Sequence, residues 1–145
     1  MLSLQHTNFK SFLLLIGISF YFLPTTFGQI DHWETVVYET DIWSYNVPDS
    51  PVDEDWNTLS FDAGSWPTGS GGFGYGDGDD NTILPSGTIS VYQRIAFDIV
   101  DTNEIGAAAL LLDYDDGFVA YLNGVEITRA LMDGAGQPDY DQLAS

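Results

Sequence analysis

The chain has 145 residues, 22 of them acidic and three basic, a formal charge of −19, and no cysteine. That length suits one domain, and so acidic a surface repels nucleic acid and anionic membranes. A domain without disulfides has to be held by its core, by a metal or by neighbouring domains; with 44% apolar and 14% aromatic residues a core is attainable and disorder is excluded.

The first 28 residues read as a signal peptide. "MLSLQHTNFK" is a short leading region with one cation, Lys10, and "SFLLLIGISFYFL" is the apolar stretch. Small residues at Thr26 and Gly28 then place cleavage before Gln29. A membrane anchor is the competing reading, but the run is shorter than the ~20 residues a spanning helix needs. The expected product is secreted or cell-surface, with no membrane insertion after cleavage. Cleavage removes Lys10 and no acid, leaving Arg94 and Arg129 as the only basic residues. Such a surface attracts cations.

What is missing narrows the chemistry. After Gln29 there is one histidine, His32, and no lysine or cysteine. A Ser-His-Asp triad needs a histidine between an acid and a nucleophile. A zinc or dinuclear hydrolase site needs several ligands together. A P-loop or kinase needs a lysine on the phosphates. The expectation is a chain that is not itself an enzyme.

Short strands are expected at Val36 to Tyr38 and at Ile42 to Tyr45, followed by the loop "PDSPVDEDWN". Trp56, Phe61 and Trp66 are spaced by turn residues, and core packing is the favoured reading for both tryptophans. "ISVYQRIAFDIV" alternates, with Val91, Gln93, Ile95, Phe97 and Ile99 on one face and Tyr92, Arg94, Ala96 and Asp98 on the other. Further on, "LLLDY" is expected as a strand, "DDG" as a turn, and "FVAYL" and "VEITR" as strands joined at Asn123-Gly124. That dipeptide between alternating apolar residues is a strong hairpin signal, because both turn positions need positive φ. Arg129 is expected to pair with a nearby acid such as Glu126. No segment after Gln29 has a sustained helical period. The fold class is therefore all-β, a sandwich or barrel with glycine-rich turns. The apolar start of a further element near the C-terminus suggests that the last strands are absent and that the chain is a fragment.

The order Trp56, Phe61, Trp66, "GGFGYGDGDD", "SVYQRIAF", "LLLDYDDGFVAYLNGVEITR" and "PDYDQLA" resembles the galactose-binding-domain-like jelly-roll modules of large secreted bacterial proteins. It is most similar to the N-terminal module that precedes a CotH-type (spore-coat kinase-like) domain or a lamin-tail domain; similar modules accompany secreted metallophosphatases. The resemblance covers Trp33 to Ala144. It implies an antiparallel β-sandwich over residues 29–145 with a binding or presenting role, and it places any kinase-like or phosphatase chemistry in downstream domains of the same polypeptide. The last strands of such a jelly roll have no counterpart here.

Two clusters are candidate sites. "GSGGFGYGDGDDNT" spells G-x-G-x-x-G at Gly69, Gly71 and Gly74. A phosphate fingerprint must follow a buried strand and open a helix. Here three aspartates, Asp77, Asp79 and Asp80, follow instead and repel phosphate. Asp77, Asp79 and Asn81 form D-x-D-x-N, oxygen ligands suited to calcium. Thr82 replaces the glycine that an EF-hand would need, so a different calcium loop is implied, one that could borrow Asp115 or Asp116. A solvated turn is the first reading and calcium the second, with Phe73 and Tyr75 tucked into the sandwich. The other cluster is an aromatic platform for a sugar ring. Trp66, Tyr75, Tyr92 and Tyr114 would give flat faces, and Arg94, Asp115 and Asp116 would bond hydroxyls. The expected partners are a polysaccharide or a cell-surface glycan. The alternative function is a structural domain that packs on a downstream kinase-like or phosphatase domain.

Overall fold

A computed structural model describes residues 32–145, so the expected signal segment lies outside the described residues. Strands account for 23% of the described residues and helix for 3%, so the chain is all-β. The strands are short and form three separate sheets.

The first sheet has the order β2-β1-β5, with β1 at Ile42–Asn46, β2 at Thr68–Ser70 and β5 at Tyr92–Arg94. Both pairings are antiparallel: Trp43 faces Gly69, Ser44 faces Arg94, and Asn46 faces Tyr92. Directly opposed residues share a face. Ser44, Asn46, Tyr92 and Arg94 therefore lie on one side, and Trp43, Tyr45 and Gln93 on the other. Each side is covered. Trp56 meets Tyr92 edge-on at 4.9 Å and stacks on Trp66 at 6.3 Å, while Phe61 meets Trp66 at 5.4 Å. On the opposite side Tyr45 packs on Phe73 at 5.1 Å.

Phe73 belongs to the second sheet, a parallel pair of β3 (Phe73–Gly74) and β4 (Thr82–Ile83) that closes the glycine loop on itself. The third sheet is the hairpin of β6 (Phe118–Leu122) and β7 (Val125–Ala130). Its turn is the expected one: Asn123 has φ 51° and Gly124 φ 84°.

Several local expectations change. Val36–Tyr38 is a bend, with Tyr38 N donating to Asp41 Oδ2 and Asp41 N to Tyr38 O. In "ISVYQRIAFDIV" the ladder is limited to Tyr92–Arg94, paired with Ser44–Asn46 of β1. The inward face is also the opposite of the one its alternation indicates. Tyr92 is buried at 8% exposure, whereas Phe97 and Ile99 are exposed. Alternation reveals two faces, and Trp56 buries the one that carries Tyr92. "LLLDY" joins no ladder, and Leu110, Leu111 and Leu112 are all exposed, Leu111 at 93%. Trp56, Leu84 and Tyr92 are the buried apolar residues among those described. The core is accordingly a thin aromatic one centred on Trp56.

Candidate functional site

The hairpin tip, the loop around Asn57 and the segment 136–140 enclose a groove of about 800 Å³. Its construction begins at Trp56. The indole donates Nε1–H to Gln137 Oε1 at 3.0 Å, which draws the 136–140 segment against the core and leaves the Nε2 end of Gln137 as its donor. Arg94, projecting from β5, donates to Trp56 O and, at 3.0 Å, to Thr58 O, and its guanidinium lies 5.2 Å from the Phe61 ring centre. These bonds hold the 56–58 turn in place. The hairpin tip then closes on that turn, where a Cβ added at Gly124 would come within 3.3 Å of Thr58 Cγ2.

The third wall is held by Arg129. It pairs with Glu126 through Nε–Oε1 and Nη2–Oε2 bonds of 2.6 Å each, and Nη2 also donates to Gly136 O at 2.6 Å. The guanidinium beside Glu126 holds its carboxyl below the usual carboxylate range. A β-bulge makes this pair possible. The register changes between Ala120 and Tyr121, so that Ala120 faces Thr128 while Tyr121 faces Glu126, and Ile127 is the extra residue.

Tyr92, Tyr121 and Tyr140 line the groove together with Asn57, Gln137, Glu54, Asp55, Glu126 and Asp139. Tyr121 packs edge-on against Trp56 at 5.7 Å. Its hydroxyl is buried and has no hydrogen-bond partner among the described residues. Burial and the nearby Glu126 carboxylate push that phenol's pKa up, so it stays a protonated donor at neutral pH. Nearly all buried polar groups in folded proteins have partners, so this hydroxyl marks the groove as unsatisfied.

Of the sugar-platform residues read from the sequence, Tyr92 lines this groove, and Arg94 supports it from behind through the 56–58 turn. Trp66 lies in the aromatic core against Trp56 and Phe61. Tyr114, Asp115 and Asp116 sit before the start of β6, at the opposite end of that strand from the groove. Tyr114 packs on Phe118 at 4.6 Å; Asp115 Oδ1 accepts from Asp116 N at 2.9 Å, and Asp116 has φ 68°. That is local turn chemistry. Sequence reading missed Tyr121, Tyr140, Asn57 and Gln137. The only local hint was the strand-facing position of Tyr121 before the Asn-Gly turn.

The glycine loop places one carboxylate oxygen each from Asp77, Asp79 and Asp80 within 4.8 Å of one another. Asn81 is directed elsewhere: its amide nitrogen donates to Gly71 O at 2.8 Å, and its backbone N–H bonds Gly72 O. Asp80 therefore stands where the spacing pointed to Asn81. Asp79 shares a hydrogen bond with Asp77, which lowers the Asp77 pKa and raises that of Asp79. Asp80 is raised by desolvation first, then by the two neighbouring carboxylates. Asp80 Oδ2 is buried without a partner. Three carboxylates and an orphaned oxygen make an all-oxygen donor set that fits a hard divalent cation such as calcium. Asp115 and Asp116 are not part of this group. Phe73 is half-buried against Tyr45, whereas Tyr75 is exposed, its hydroxyl 3.5 Å from Thr88 O.

No helix among the described residues is long and apolar enough to cross a membrane. No family model matches the chain, and neither a curated protein nor a solved structure matches it.

Proposed function

We propose that this chain is a non-catalytic, carbohydrate-binding module of an exported protein, built as a galactose-binding-like β-sandwich, and that the groove beside Tyr121 is its binding site. The observation that carries this reading is the buried, unpartnered Tyr121 hydroxyl. Tyr121 lines a groove that also offers amides at Asn57 and Gln137 and the rings of Tyr92 and Tyr140. Sugar hydroxyls both donate and accept, and pyranose rings present apolar faces, so amides, carboxylates and aromatic rings in one groove suit them. The acidic glycine loop would hold calcium as a structural ion outside the groove. The test is affinity electrophoresis against soluble polysaccharides with the wild type and with Tyr140→Ala and Asn57→Ala. Retardation that weakens in both variants is expected. A wild type retarded by no glycan would remove the reading.

A second reading rests on a separate observation. Leu111 is almost fully exposed, and Leu110 and Leu112 are half-exposed, at the end of the apolar run "AAALLL", which has no ladder partners. Consecutive exposed apolar residues of this kind suit an interface. In this reading the module packs on a neighbouring CotH-type kinase-like or metallophosphatase domain and binds no glycan. Leu111→Asp would then leave the free chain's melting temperature unchanged and abolish co-purification with that domain. Undiminished co-purification would exclude this face.

A further inference from the structure

We propose that the groove selects saccharides bearing a free ammonium group, that is, deacetylated hexosamine units, over neutral and anionic sugars. This inference rests on the carbohydrate reading above and deepens it. Four carboxylates line the groove, those of Glu54, Asp55, Glu126 and Asp139, and no lysine or arginine lines it. The two described arginines are spent elsewhere. Arg94 is committed to the carbonyls of Trp56 and Thr58, and Arg129 to Glu126 and Gly136 O. Since Arg129 neutralises Glu126, the uncompensated charge belongs to Glu54, Asp55 and Asp139, all of them exposed.

An ammonium in this groove would meet two attractive fields at once. Carboxylates accept charge-assisted hydrogen bonds from it, and tyrosine faces attract a cation through their ring quadrupoles. An N-acetyl group removes that charge, while a uronic acid would add like charge beside three carboxylates. Neutral sugars would keep the hydroxyl contacts to Asn57, Gln137 and Tyr121 but gain nothing from the rim. Recognition thus separates into a ring-and-hydroxyl part, set by the tyrosines and amides, and a charge part, set by Glu54, Asp55 and Asp139.

The test compares the fully deacetylated glucosamine tetramer with its N-acetylated counterpart by isothermal titration calorimetry. The pH is mildly acidic, where the amines are protonated and most carboxylates remain ionised. Tetralysine is the control for bare charge. Wild-type protein is expected to bind the deacetylated tetramer at least about tenfold more tightly, with an affinity that falls as salt rises. The triple variant Glu54→Gln, Asp55→Asn and Asp139→Asn should bind the two tetramers with equal affinity. Equal affinities for the two tetramers in wild type would overturn the ammonium preference and leave the groove reading intact. Tetralysine bound as well as the deacetylated sugar, or a preference that survives in the triple variant, would also overturn it. Those results would assign the attraction to the chain's overall charge. Failure of both tetramers and of every polysaccharide to bind would remove the groove reading itself.

Discussion

Glu126 and Arg129 are three residues apart on one β-strand and nevertheless share a face. In a regular strand the period of two puts positions i and i+3 on opposite sides. The bulge at Ile127 adds one residue to β7, resets the alternation, and lets the guanidinium meet the carboxylate through two parallel bonds of 2.6 Å. The same guanidinium reaches Gly136 O, so one irregularity in a hairpin also fixes the far wall of the groove.

This geometry sets a pH dependence. Glu126 has a pKa below its unfolded value because Arg129 is beside it. Its stabilising contribution is therefore complete above the unfolded carboxylate pKa of about 4.3 and is lost as pH falls through the depressed folded value. Urea midpoints of wild type and Glu126→Gln should differ at neutral pH, with wild type the more stable, and converge in strong acid. A gap that persists at the acid end would assign the effect to packing.

Tyr121→Phe separates stability from binding. Removing a buried hydroxyl that has no partner relieves a desolvation cost, so the variant should be neutral or more stable by about 1 kcal/mol. Glycan affinity should drop in the same variant. A marked loss of stability would show that the hydroxyl is satisfied in solution, by water or otherwise.

Gly71 tests the close approach behind the glycine loop. A Cβ there would overlap the carbonyl oxygen of Glu39, a backbone atom that has no rotamer to escape into. Gly71→Ala should cost roughly 2–4 kcal/mol in chemical denaturation. Gly76→Ala provides the comparison: nothing lies within 4 Å of its added Cβ, so only its φ of 109° opposes the change. A negligible loss at Gly71 would show that the Glu39 carbonyl gives way to the added methyl.

Calcium is expected to raise the melting temperature, with reversal by chelator and loss in the double variant Asp77→Ala with Asp79→Ala. The raised pKa values of Asp79 and Asp80 mean that the folded state holds their protons more tightly. At low pH those protons compete with the ion for the carboxylates. The calcium-induced shift should accordingly be larger at neutral pH than near pH 4, about the ordinary carboxylate value. A melt indifferent to calcium at neutral pH would leave the loop as a solvated turn.

Trp56→Ala should be the most damaging of these substitutions, at about 3–5 kcal/mol, because it empties the centre of an aromatic core and frees Gln137. Trp56→Phe keeps most of the ring contacts and removes the Nε1–H donor. It should cost less and selectively disorder the 136–140 wall, read by hydrogen exchange at those amides. Unchanged exchange there would show that Gln137 is held by other means.

The local features of this chain were legible from its residues. Asn123-Gly124 makes its turn because only such residues tolerate positive φ at both positions, and Arg129 pairs with an acid three residues away. The acidic turn at Asp77 and the turn chemistry of Asp115 and Asp116 are equally local. The buried face of the Tyr92 strand was not legible, because Trp56, 36 residues upstream, covers the side that carries Arg94. Neither was the groove, whose walls come from positions near 57, 121 and 137 and are joined by contacts such as the Trp56–Gln137 and Arg129–Gly136 bonds. Backbone preference and short-range charge act within a few residues and can be read along the chain. Burial depends on which distant surface arrives, and only the tertiary structure decides that.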